Sequence, residues 1–247
     1  MKRIRKSRTS WRKNKTMRTY KELKDRSWEC NMELSRKNLI IYTFGNVSAM
    51  DREKGVVAIK PSGVPYEELR PEQMVVVDLD NKVVEGALRF SSDTKTHTLL
   101  YRHFPEISGV VHTHAPFSVA WAQAKRSIPI FGTTHADYVA GEVPCTEVMS
   151  DQQIRGDYEE ETGNMIIERF KGLSYKEVEM VLVACHGPFT WGKTPEKAVH
   201  NMVVLEELAK IALYTITINP NASPLKQALI DKHYQRKHGK NAYYGQK

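Results

Sequence analysis

The run Gly109-Val110-Val111-His112-Thr113-His114-Ala115 is the feature that most restricts what this chain can become. A glycine followed by two β-branched apolar residues reads as a short buried strand. Side chains alternate across a strand, so His112 and His114 leave one side and Thr113 the other. Two imidazoles on a rigid edge are two-thirds of a zinc site, because catalytic zinc takes three protein ligands and keeps one position open. The plainer alternative is a pair of partly buried histidines satisfied by ordinary hydrogen bonds, and a motif this short does not choose between them.

The rest of the chain interleaves short strands with helices, which predicts one α/β domain. Leu23, Trp28, Met32 and Leu34 among charges predict a first helix from Met17 to about Arg36. Strands are expected at 39–42, 56–59 and 181–184, with a hairpin from 74–79 to 83–84 around Asp80-Asn81. Ser91-Ser92-Asp93-Thr94 looks like a helix N-cap leading into 97–104. Further helices are expected over 116–124, from Asp151 through Phe170, from Pro195 to about Leu213, and over 225–237. Val181 to Ala184 runs into Cys185-His186-Gly187-Pro188, and a neighbouring strand end is where a third metal ligand belongs. His200, mid-helix, reads as a packing histidine.

The 247 residues carry a formal charge of +8, which raises the question of a nucleic-acid partner. Eight of the 37 basic residues lie within 1–16, which holds no acid; the remaining 29 balance the 29 acidic residues. The body is formally neutral, and residues 1–16 are read as an extension or upstream-start artefact ahead of nucleic-acid binding. No apolar run is long enough to span a bilayer. Three cysteines without a C-x-x-C pair argue against a disulfide framework and fit a reducing cytosol.

Lys60-Pro61-Ser62-Gly63 and Ser91-Ser92 together offer a cation, hydroxyls and backbone amides, the equipment for holding a phosphate. Neither G-x-x-x-x-G-K-[ST] nor G-x-G-x-x-G is present, so neither nucleotide hydrolysis nor a Rossmann-bound nicotinamide has support.

These motifs have a familiar order. Gly45-Asn46-Val47-Ser48, Ile59-Lys60-Pro61-Ser62-Gly63-Val64, Ser91-Ser92-Asp93-Thr94 and Val111-His112-Thr113-His114 come first. Gly132-Thr133-Thr134-His135-Ala136-Asp137-Tyr138, His186-Gly187-Pro188-Phe189, Asp231-Lys232-His233-Tyr234 and Tyr243-Tyr244-Gly245-Gln246 follow. From about Met17 to Gln246 the chain resembles the L-ribulose-5-phosphate 4-epimerases of the class II, zinc-dependent sugar-phosphate aldolase superfamily. The resemblance implies a single three-layer αβα domain over 17–247 around a largely antiparallel central sheet. It also implies a cytoplasmic homotetramer with active sites at subunit interfaces.

By similarity, His112, His114 and His186 are the metal ligands with Asp93 beside them. Zinc is the implied cofactor, with manganese or cobalt as possible substitutes. Asn46, Lys60, Ser62, Gly63, Ser91 and Ser92 correspond to a phosphate pocket. Asp137 and Tyr244 match an acid/base pair, Tyr244 from a neighbouring subunit, with Thr133, Glu159, His233 and Arg236 in support. The implied reaction converts L-ribulose 5-phosphate to D-xylulose 5-phosphate. C4 carries no acidic proton, so a retro-aldol route cleaves C3–C4 to an enediolate and glycolaldehyde phosphate, and re-adds to the other face of the aldehyde. Arabinose and ascorbate-type routes both lead to this substrate. The rival is a sugar-phosphate aldolase of the same superfamily releasing dihydroxyacetone phosphate. Adducin-type heads, which share the fold, lack the metal ligands.

Overall fold

Valine-rich runs supply most of the strands, because β-branched side chains suit a pleated, buried surface. In the computed structural model, which describes residues 20–240 with 242 and 243, these are β1 (Asn46–Asp51), β2 (Val56–Ile59), β3 (Val75–Asp78), β4 (Val83–Glu85), β5 (Gly109–His112), β6 (Met180–Val183) and β7 (Gly187–Gly192). They form one sheet in the order β4-β3-β2-β1-β5-β7-β6, and every pairing is antiparallel. The helices are α1 (Lys21–Arg36), α2 (Thr94–His103), α3 (Pro116–Gln123), α4 (Thr133–Ala136), α5 (Asp151–Arg155), α6 (Tyr158–Arg169), α7 (Pro195–Ile218) and α8 (Gln227–His238). Residues 1–16 and Tyr244 lie outside the described residues.

Register decides what each face of the sheet carries. In-register partners share a face, so Asn46, His112 and Phe189 stand in one row and Ser48, Val110 and Trp191 in the next. Helix α2 covers that face: Tyr101 Oη donates to Ser48 O at 3.0 Å, and His97 stands edge-on to Phe189. Helix α6 packs against α2, and its continuation brings Phe170 onto Trp191. The opposite face, with Val47, Val111 and Thr190, meets α1 and α7. There Asn31 bonds both the N–H and C=O of Val47 at 2.9 Å, and Thr190 Oγ1 donates to Ala198 O at 2.8 Å. Gly109 opens β5 because α7 begins on top of it; a Cβ would stand 2.6 Å from the Pro195 nitrogen.

Three sequence expectations need correction. Residues 39–42 are not a strand. Asn38 and Tyr42 take φ of 57° and 53°, left-handed values that break an extended run, and a bridge between Ile41 and Phe44 closes a turn instead. The helix expected from Asp151 through Phe170 is two helices, parted at Gly156. Asp157 restarts the second by accepting from Glu160 N. Gly187-Pro188, which read as a glycine turn closing the 181–188 run, instead opens the strand β7 between β5 and β6. The 74–84 hairpin, by contrast, forms as expected with Asn81 at φ 64° in its turn.

Candidate active site

Strand β5 ends at His112, and the chain runs on through Thr113 and His114 to α3. Thr113 turns its hydroxyl to Met202 of α7 on the far face, leaving both imidazoles on the other, as strand alternation requires. The β6–β7 hairpin turn, with Cys185 at φ 64°, presents His186 from the neighbouring strand. Ligand atoms of His112, His114 and His186 all lie within 4.8 Å of one another, and ring centroids are 4.7 to 5.4 Å apart.

The tautomer of His112 follows from its surroundings. Its ring is buried, stacked on Phe189, and Nδ1 lies 2.9 Å from Pro188 O. A carbonyl only accepts, so Nδ1 carries a proton, and in the neutral ring Nε2 is the nitrogen with a lone pair for a metal. Proline in an interior strand is unusual because it cannot donate to the ladder. Here its carbonyl serves the imidazole instead. Burial, reinforced by His112, lowers the pKa of His114 and takes that of His186 down to about 3. Neutral imidazoles are what a metal requires, and a cluster of three histidines with space beside it suits zinc or a similar borderline ion.

Asp93 lines the same cavity but stands outside the set within 4.8 Å. It occupies the N-cap position of α2 without capping it; Oδ2 accepts from Asn46 Nδ2 at 2.6 Å. Burial raises the Asp93 pKa, but His112, His97 and the Asn46 amide outweigh that and keep it below the ordinary value. The expected cap is therefore a second polar group facing the histidines.

The cavity measures about 390 Å³, and its walls include Asn46, Lys60, Ser62, Gly63, Ser91, Ser92 and Glu159. The two phosphate-type turns are tied together: Ser62 N donates to Arg89 O at 2.9 Å and Ser91 N to Lys60 O at 3.1 Å. Gly63 adopts φ +70°, a backbone that other residues resist. Lys60 is 2% exposed, and its Nζ donates to Val64 O at 2.7 Å and lies 4.9 Å over the Tyr66 ring. Burial lowers its pKa to about 8. An ammonium held by carbonyls and an aromatic face retains charge for an incoming anion.

Asp137, Thr133, His233 and Arg236 assemble elsewhere, where α4 docks on α8. Asp137 Oδ1 accepts from His233 Nδ1 and Arg236 Nε, both at 3.0 Å, and Oδ2 accepts from Arg236 Nη2 at 2.8 Å. Burial works against ionisation, but the Arg236 and His233 bonds hold this carboxyl below its ordinary pKa. None of these four is among the residues lining the cavity. His200 is exposed, its ring 5.7 Å from Tyr138. The cavity also includes Phe44, whose ring is 5.7 Å from His114, and Tyr158, whose hydroxyl is 3.4 Å from His186 Nδ1. Nothing in their local sequence marks either for this role; both arrive through tertiary packing.

Residues 26–213 match the family described as Class II Aldolase and Adducin N-terminal domain. The chain belongs to this family. Within the class II aldolase family it is 52% identical over 226 residues to the L-ribulose-5-phosphate 4-epimerase UlaF of Salmonella paratyphi C (strain RKS4594), covering 92% of this chain and 99% of that one. The protein of the same name from Salmonella typhi is 51% identical over the same length. A solved L-fuculose 1-phosphate aldolase superposes with a TM-score of 0.74 at 22% identity, over 87% of this chain and 95% of that chain. The L-fuculose-1-phosphate aldolase of Thermus thermophilus does so at 0.63 with 26% identity, over 81% and 98%. The antiparallel sheet with helices on both faces is thus the class II aldolase fold.

Proposed function

We propose that this protein is an L-ribulose-5-phosphate 4-epimerase, a metal-dependent isomerase yielding D-xylulose 5-phosphate. The observation that carries the reading is 52% identity to an epimerase across 99% of its length. A cavity that pairs three imidazoles with a buried lysine held by a main-chain carbonyl fits a sugar phosphate. A zinc ion held by His112, His114 and His186, with Asp93 beside it, would supply Lewis-acid polarisation of a substrate carbonyl oxygen. Lys60 and the turns carrying Ser62, Gly63, Ser91 and Ser92 grip the phosphate. That grip matters after C3–C4 cleavage, because the aldehyde fragment must rotate without leaving. Asn46 spends its amide on Ser91 and Asp93, so it shapes the pocket by holding those two.

The route also needs a base for the C4 hydroxyl proton and an acid on the other face of the carbonyl. Asp137, kept ionised, is suited to accept a proton, and Tyr244 is its proposed counterpart. Asp137 stands away from the cavity of its own chain, so the reading requires a second copy to bring it there. A cytoplasmic homotetramer with sites shared between subunits meets that need. Residues 17–247 are the catalytic unit in this reading and 1–16 a basic extension. Among the described residues no helix is long and apolar enough to cross a membrane.

The deciding experiment follows L-ribulose 5-phosphate conversion by the full chain, with and without chelator, alongside His112→Asn. Chelator-sensitive formation of D-xylulose 5-phosphate that collapses in the variant is expected. Release of dihydroxyacetone phosphate from a deoxyketose 1-phosphate, without epimerisation, would reassign the protein as an aldolase.

A further inference from the structure

The orientation of His112 is set by a main-chain carbonyl, which raises the question of what orients His186. Among the described residues, the hydrogen-bond partner of the His186 ring is Tyr158, with Oη 3.4 Å from Nδ1 and ring centroids 5.9 Å apart. We propose that Tyr158 is a positioning residue of the metal centre: its phenol oxygen accepts the Nδ1–H of His186 and so fixes that ring with Nε2 toward His112 and His114. The inference rests on the three histidines being a metal site.

Tyr158 is exposed, and an exposed tyrosine is ordinarily free to wander. This one is attached to a backbone held on several sides. Asp157 immediately before it forms an ion pair with Lys95 and accepts from Glu160 N. Thr162 Oγ1 donates to Tyr158 O at 2.8 Å, and Thr96 Oγ1 donates to the next carbonyl, Glu159 O, at 2.5 Å. One turn on, Gly163 lets α6 close onto α2; a Cβ there would stand 2.7 Å from a Leu99 methyl. The first turn of α6 is therefore fixed relative to α2, whose N-terminus carries Asp93. The tyrosine side chain leaves this anchored turn toward the cavity that holds the triad.

Proton placement gives the contact a direction. If Nε2 ligates, a neutral imidazole must carry its proton on Nδ1, and that N–H needs an acceptor. The phenol oxygen is in place to accept it, leaving its own O–H to donate into the cavity. His112 and His186 would then be held in the same tautomer by different means, one by backbone and one by side chain.

Tyr158→Phe removes the oxygen and keeps the ring. Zinc affinity of the full-length metal-stripped chain, measured by competition with a chromophoric chelator, should fall about 10–100-fold in this variant, the usual cost of losing such a partner. The visible absorption of the cobalt-loaded protein should shift, while thermal unfolding of the metal-free protein should not. Equal zinc affinity and an identical cobalt spectrum in the variant and wild type would overturn the proposal. A wild type that binds zinc no better than His112→Asn would instead remove the metal centre itself, a result read from the wild type without reference to Tyr158.

Discussion

Lys60 is where a single residue makes the most of its surroundings. Its pKa of about 8 follows from burial, so the free protein loses this cation as pH rises through that value. On the proposed reading kcat/KM should fall above about pH 8, and Lys60→Arg should move the fall upward because arginine stays charged. Lys60→Met should lower kcat/KM by roughly 10–100-fold, the equivalent of about 1.5–3 kcal/mol for hydrogen bonds to a charged group. The same substitution should leave stability unchanged or raised, because it removes a buried ammonium that, among the described residues, has no carboxylate beside it. Steady-state kinetics against pH and a urea titration check both halves. His112 and His114 were legible because a two-residue period on an apolar strand is a physical rule. Tyr158 and Phe44 were not, since α6 and the 41–44 turn reach the cavity only after folding.

At the scale of elements, α4 and α8 are joined through Asp137, whose side chain is 14% exposed. Its lowered pKa means the contribution is fully present above the ordinary carboxylate value, near ~3.9, and is lost as pH falls through the folded value. Asp137→Asn should therefore weaken α8 by about 1–3 kcal/mol at neutral pH. Hydrogen exchange should accelerate over 227–238 while β5 stays protected; uniform acceleration would contradict a local role. Most elements could be read from valine runs, caps and the proline at the start of α7. Strand β7 could not, because two glycines and Pro188 mimic turn chemistry, and it becomes a strand only between β5 and β6. Likewise the 39–42 run has strand-like composition, and left-handed Asn38 and Tyr42 decide otherwise.

For the whole molecule, buried neutral histidines set the acid limit. His97 and His135 are pushed down by burial to about 3 and about 4. The unfolded chain takes up protons at these positions near ~6.5 and the folded chain does not until far lower, so stability falls as pH drops below that value. The slope should approach roughly 1.4 kcal/mol per pH unit for each histidine, measurable by denaturant unfolding between neutral pH and the folded-state values. The proposed sharing of sites between copies is tested by mixing variants. Asp137→Asn and His112→Asn should each be inactive alone, and subunit exchange between them should restore activity, toward about a quarter of wild type if sites form from two copies at random. Separate sites would give no recovery.

The bond from His112 to the Pro188 carbonyl has one more implication. Its acceptor is an atom every amino acid possesses, so no substitution at position 188 deletes it while β5 and β7 keep their register. The orientation of this ring is therefore inherited through strand alignment rather than spelled by a neighbouring side chain. Sequence drift around it can be extensive, and a shift of the β5–β7 register by one residue would do more damage than most replacements beside the histidine.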